Sequence, residues 1–366
     1  MDDSDLAKFI RTDIAKMASY APAPYLPDLE EKYACQKDEI LKLDQGENIY
    51  GPVPGLGEAL SRNGNNFNLY PDPEYKRLRS AIGKYVGVDR EYVMVGSGSD
   101  ELLDLILRLI LGEGDEVVYC PPTYGMGAML IGLNKGRIIA APRNDDFSLN
   151  VRSLKDHISG RTKAILICSP NNPTGKTAAR EEIEAVLSIG KLVIIDEAYF
   201  EFCDKTSIAL LHKHKNLIIL RTFSKWAGLA GLRLGYAVMD PYFIDEIFKI
   251  KLPFNVNAAA EIGGLVALDN LAFAKAAVQK ITSERERIYG IVNDVPGFTA
   301  YPSEANFLFI RTEHDLSALK SHLENNRIFP RYYEEQNAIR LTIGKPDQNN
   351  KVIACLRSLK RPGGSR

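Results

Sequence analysis

The chain has 366 residues, 45% of them hydrophobic and 25% charged, with 46 basic side chains against 47 acidic ones and a net charge of −1. This is the composition of a globular protein with a full-sized core in roughly two domains. It supplies no long-range field that would draw the chain to nucleic acid or an anionic membrane. The five cysteines, Cys35, Cys120, Cys168, Cys203 and Cys355, are widely spaced and form no CxxC pair. That speaks against a disulfide framework or a structural zinc site and for reduced thiols in a cytoplasmic protein, with no metal expected.

The opening MDDSDLAKFIRTDIAK is charged throughout, with no apolar signal core, and no apolar run reaches the ~18 residues of a membrane span. Residues 1–45 carry Pro22, Pro24 and Pro27 and no strand signal. They read as an arm and a helix that pack elsewhere, on the small domain or a partner subunit. From Tyr92 to Met239, short Val- and Ile-rich runs read as buried strands: 92–95, 116–120, 137–141, 163–168, 192–196, 217–221 and 234–239. Amphipathic stretches such as SDELLDLILRLI and REEIEAVLSI lie between them. Strand and helix in alternation predict a mainly parallel sheet covered on both faces. Residues 257–293 read as nearly continuous helix. GFTAYP, NFLFIR, a helix near Leu316–Asn325, RIFPR, AIRLTI and a last helix follow, as a smaller α+β unit. The division expected is an arm over 1–45, a large domain over 46–255 and a small domain over 256–366.

Ligands of an α/β sheet gather at the C-terminal strand ends, so the residues after each strand carry the functional reading. GSGSDELLD opens a helix whose free N–H groups suit a phosphate, although Ser99 or Asp100 would also serve as an ordinary cap. SPNNPTG (169–175) forces an irregular loop in which the Asn172 amide can reach a ligand. Asp196, after four apolar residues, needs a cationic partner or serves as a helix cap; Tyr199 follows three residues on. In TFSKWAGLAGLRLGY, Lys225 stands between hydroxyl residues and a Gly/Ala run, with Arg233 eight residues later. A desolvated lysine beside a cation has a reactive amine, and Thr222, Ser224 and Arg233 offer donors to a phosphate. A lysine, an acid for a pyridinium nitrogen and a phosphate cradle are together what pyridoxal 5'-phosphate requires. No GxGxxG follows the first strand, which disfavours a dinucleotide-binding enzyme.

With LYPDPEYKRLR, YCPPTYGM, CSPNNPTG, IIDEAYFEF, LPFNVN, SEANFLF and IRLTIG added, the sequence resembles the fold-type I aminotransferases over nearly its whole length. Within them it is most similar to the histidinol-phosphate branch. The resemblance implies an α/β fold of the PLP-transferase type I, with a mainly parallel seven-stranded sheet sandwiched by helices and a smaller α+β domain. It implies that Lys225 carries pyridoxal phosphate as a Schiff base and that Asp196 pairs with the ring nitrogen. Tyr199 and Asn172 would bond the ring oxygen, and Tyr124 would stack on the ring. Ser99, Asp100, Thr222, Ser224 and Arg233 would hold the phosphate, with Tyr70 reaching it from the second subunit of a homodimer. Arg340 would bind the substrate carboxylate or, in this branch, its phosphate, helped by Arg331, Asn172 and Tyr20. The implied reaction is ping-pong transfer from histidinol phosphate to 2-oxoglutarate, a step of histidine biosynthesis. The sequence departs from the family where its usual NENP reads GENIYG (46–51), where Trp226 follows Lys225, and in a shorter stretch from Arg331 to Arg340. An aromatic or broad-specificity aminotransferase, a PLP decarboxylase of a phosphorylated amino acid, and a binding module without turnover are the alternatives.

Overall fold

The computed structural model describes residues 6–19 and 22–359; Tyr20 lies outside them. The chain forms two compact units that divide after Ile40. In the first, a helical turn at Thr12–Ala15 precedes a helix at Leu26–Tyr33. That helix has proline in its first turn, where the missing N–H costs nothing, and ends at Ala34 in the left-handed region (φ 46°).

The second unit holds strands β1 (Leu41–Leu43), β2 (Val93–Gly96), β3 (Glu116–Tyr119), β4 (Arg137–Ala140), β5 (Thr162–Cys168), β6 (Leu192–Asp196), β7 (Leu217–Thr222), β8 (Gly235–Val238), β9 (Phe298–Ala300), β10 (Phe307–Thr312), β11 (Ile328–Tyr333) and β12 (Ala338–Thr342). The large sheet has the order β2-β8-β7-β6-β5-β3-β4. Only β8 runs against the rest. All seven runs read as buried strands are strands, with ends shifted by a residue or so, but β4 is largely exposed, because it is the edge strand of the sheet. Alternate residues of the central strands feed separate cores, as the two-residue period requires. Ile194, Ile218 and Val117 pack with Leu102, Ile106 and Ile247 on one face, whereas Val193, Ile195 and Ile219 pack with Ile82, Val186 and Ile281 on the other.

The smaller sheet has the order β1-β11-β12-β10-β9, with β1 parallel to β11. Strand β1 lies within the first 45 residues, where no strand signal was legible: three residues are too few to display a period. The helical stretch after Asn257 is two helices, Ala258–Asp269 and Leu271–Asn293. They part at Asn270, whose side-chain amide donates to the Val266 carbonyl at 2.9 Å and so competes with helix continuation. Among the described residues no helix is long and apolar enough to cross a membrane.

Candidate active site

Strands β2, β3, β5, β6 and β7 all end on one edge of the large sheet, and β8 begins there, with Gly235 opposite both Gly96 and Thr222. The helix Ser99–Ile110 starts at this edge. Neither Ser99 nor Asp100 caps it; the cap position is Gly98, at φ 85° and without a side-chain bond. The Ser97 N–H instead goes to the Glu101 carboxylate at 2.5 Å. Two glycines leave this cradle room to close. A Cβ on Gly235 would come within 2.4 Å of the Ser99 nitrogen, and one on Gly98 within 2.6 Å of the Arg233 guanidinium. Arg233 lies 3.6 Å from the Asp100 carboxylate, and the Thr222 hydroxyl donates to that of Ser224 at 2.9 Å. Ser99, Asp100, Thr222, Ser224 and Arg233 are thus gathered around one helix N-terminus, a place suited to an anion.

Lys225 extends from the loop after β7, and its Nζ donates to the Gln45 carbonyl at 2.7 Å. Burial first, and then the charge of Arg340, lower its pKa to about 8. Burial pushes the Asp196 carboxyl, at the end of β6, up to about 7 against the opposing bond from the Ala198 N–H at 3.0 Å. Tyr199 is buried, edge-on to Phe307 at 5.0 Å, and burial raises its hydroxyl pKa. An acid and an amine shifted towards neutrality in one cleft are what proton-transfer chemistry requires.

Arg340 is 6% exposed. It donates to Asn172 Oδ1 at 2.6 Å and to the Asp44 carbonyl, and sits over the Phe307 ring at 5.0 Å. The Asp44 carboxylate is itself paired with Lys42 at 2.7 Å. Arg340 therefore has neutral acceptors but no carboxylate partner among the described residues. Arg331 stands directly opposite it in the β11–β12 ladder, so both side chains leave the same face of the sheet.

On the far face of the large sheet the next residues along form a buried brace. Arg221 bonds Glu197 at 2.8 Å, each side chain 2% exposed, with Phe200 stacked on the guanidinium at 3.6 Å. Because side chains alternate, this pair ties together the two strand ends that present Asp196 and Thr222.

Two positions stand apart. Tyr124 is half-buried at the start of the helix Gly125–Leu133. Tyr70 is 82% exposed and stacks on Phe254 at 4.4 Å, outside the cradle of its own chain. Two of the sequence departures meet each other: Asn48 of GENIYG donates to the Trp226 carbonyl at 2.8 Å, and the buried indole stacks on Tyr85. The main chain of Asp44–Gly46, Tyr333, Asn306 and Thr342 also line or brace the site. Asn306 and Thr342 belong to SEANFLF and IRLTIG, and nothing in those stretches singles either out as a site residue.

The Asp196 shift predicts a pH effect in cofactor-free protein. Its folded pKa, about 7, exceeds the ordinary 3.8. Its contribution is therefore fully present at low pH and is lost as pH rises through about 7. Relative to Asp196→Asn, the wild type should lose stability across that window at up to about 1.4 kcal/mol per pH unit. Urea unfolding of both proteins at several pH values checks it, and parallel curves would refute the assignment.

The sequence profile of the family described as aminotransferase class I and II matches residues 38–356. A histidinol-phosphate aminotransferase of Roseiflexus castenholzii is 39% identical, over 97% of this chain and 99% of its own. One from Dehalococcoides mccartyi is 37% identical, over 96% and 98%. The crystal structure of histidinol-phosphate aminotransferase from Sinorhizobium meliloti, in complex with pyridoxal-5'-phosphate, superposes with a TM-score of 0.84 at 25% identity, over 95% of this chain and 96% of that one. Strand order, a lysine and an acid at neighbouring strand ends, and similarity along nearly the full length agree: the chain is an enzyme of the class I and II aminotransferase family.

Proposed function

We propose that the enzyme transfers the amino group of histidinol phosphate to 2-oxoglutarate, with pyridoxal phosphate attached to Lys225. The observation that carries the choice of donor is Arg340. A buried guanidinium that meets only neutral acceptors, with a second arginine opposite it in the ladder, offers an anion two cationic partners in one place. A phosphate dianion accepts hydrogen bonds from both. The relatives at 37–39% identity are named histidinol-phosphate aminotransferases, which supports the donor.

The residues present fit the cofactor: a cradle that a Cβ would fill, an acid held near neutrality and a lysine with lowered pKa. When bound, pyridoxal phosphate supplies an aldehyde for amines and a protonated ring that accepts electrons. Ser99, Thr222, Ser224 and Arg233 would hold its phosphate, with Asp100 orienting Arg233. Asp196 would keep the proton on the facing ring nitrogen. Tyr199 and Asn172 would bond the ring oxygen, and Tyr124 would cover one face. Lys225 Nζ would take the proton from the substrate carbon that bears nitrogen and deliver it again. Tyr70, exposed on its own chain, would serve a partner's cradle in a homodimer, and Arg331 and Tyr20 would complete the substrate pocket.

The test is a panel of amino donors with 2-oxoglutarate, histidinol phosphate first. Glutamate as product supports transamination, whereas release of carbon dioxide would mark a decarboxylase instead. Borohydride reduction with peptide mapping should place the label on Lys225; a label on another lysine would overturn the attachment. Light scattering of the active enzyme should give a dimer, and a fully active monomer would refute the shared site.

A further inference from the structure

Three consecutive carbonyls after β1 are each held by a side chain of the site. Asp44 O accepts from Arg340, Gln45 O from Lys225 Nζ at 2.7 Å, and Gly46 O from Asn306 Nδ2 at 2.9 Å. The Gly46 N–H is held too, by the Thr342 hydroxyl at 3.0 Å. Asn306 immediately precedes β10 and Thr342 ends β12, where it pairs with Phe307. Two neighbouring strands of the small sheet thus clamp Gly46 from both sides, one residue from the carbonyl that receives the lysine.

Asn306 is 1% exposed. A carbonyl can only accept, so the bond to Gly46 O fixes the amide with Nδ2 towards the main chain. That leaves Oδ1 as the free acceptor, and it is buried without a hydrogen-bond partner among the described residues. A Cβ built on Gly46 would lie 3.4 Å from Asn306 Oδ1 and 3.6 Å from Lys225 Nζ. The orphan acceptor and the amine therefore border the same small space, which glycine keeps open. An unpaired buried acceptor is costly, and the nearby group with hydrogens to give is Lys225.

We propose that Asn306 and Thr342 are positioning residues for Lys225. Together they fix Gly46 so that the Gln45 carbonyl holds the Lys225 amine while it is free of cofactor, and Asn306 Oδ1 receives that amine once substrate has displaced it from the cofactor and it carries a proton. Neither residue touches substrate. The inference rests on the assignment of Lys225 as the proton carrier. The other charges acting on Lys225 are Arg340 and Arg233, which disfavour its ammonium form, and Glu47 and Asp100, which favour it; Asp196 is coupled to it as well.

The test begins with cofactor-free protein, in which capture of added pyridoxal phosphate is followed by absorbance as a function of pH. The midpoint reports the free Lys225 amine. Asn306→Ala removes two supports of the ammonium form and should lower the midpoint by about one pH unit. In the loaded enzyme it should reduce kcat about tenfold or more while the KM for the amino donor stays near its wild-type value. Thr342→Val, of similar shape, should move the midpoint in the same direction, and Thr342→Ser, which keeps the hydroxyl, should restore it. If Asn306→Ala does not fold, the Thr342 pair decides alone. Unchanged midpoints accompanied only by lower melting temperatures would overturn the proposal and leave a purely structural clamp. Mapping of the reduced wild type to a different lysine would instead sink the attachment at Lys225, a separate outcome.

Discussion

Lys225→Ala should lower kcat for transamination by at least about ten-thousand-fold, the upper range of general acid–base catalysis. Two proposed roles would disappear together, because the amine assigned to hold the cofactor is also the one assigned to move the substrate proton. Nothing at the site can stand in. Asp196 ends a different strand and is assigned to the ring nitrogen, and Tyr199, whose pKa is raised by burial, holds its proton at neutral pH. Folding should survive, since the only hydrogen bond described for the Lys225 side chain is to Gln45 O. The decisive measurement is single-turnover conversion of cofactor absorbance, with circular dichroism as the control for folding. Retention of activity within about tenfold would remove Lys225 from the mechanism.

The second large effect is expected at Arg340. Arg340→Ala should cost about 2–5 kcal/mol of transition-state binding, roughly thirty-fold to several thousand-fold in kcat/KM for histidinol phosphate. Arg340→Lys should be nearly as damaging. The guanidinium spans Asn172 Oδ1 and Asp44 O at once, and a single ammonium cannot reproduce a planar fork. Loss of the arginine also frees Asn172, so part of the effect should appear in cofactor affinity through the role proposed for that amide. Measuring kcat/KM for histidinol phosphate against phenylalanine and tyrosine, with the same 2-oxoglutarate, separates the readings. An aromatic donor favoured by about tenfold or more in the wild type would overturn the phosphate assignment.

The large sheet was legible in the sequence because its strands, apart from the exposed edge strand β4, are buried on both faces and read as Val/Ile-rich runs. The residues after those runs announced the site for the same reason: Asp196 and Lys225 are anomalous only against the apolar strands beside them. The antiparallel course of β8 was not legible, since a four-residue apolar strand has the same composition in either direction. Strand β1 was hidden by its length. The clamp on Gly46 could not be read from spacing, because Gly46, Asn306 and Thr342 come from distant parts of the chain and two of the contacts are to main-chain atoms. Arg340 was found through resemblance; its burial without a carboxylate is a property of the folded chain alone.

Strand β1 sets an order on biosynthesis. Leu41 pairs with Ile328, so about 290 residues must be made between the two partners, some 15–60 s at ordinary rates of elongation. For that time the edge of β1 is a nascent strand with no ladder to join, while the large sheet can already have formed behind it. The Asp44–Gly46 segment that receives the lysine, and Arg340 itself, reach their places only when the last strands leave the ribosome. A chain interrupted before Ile328 would lack both Arg340 and Thr342 of the site, and its unpaired β1 would be open to the wrong neighbour.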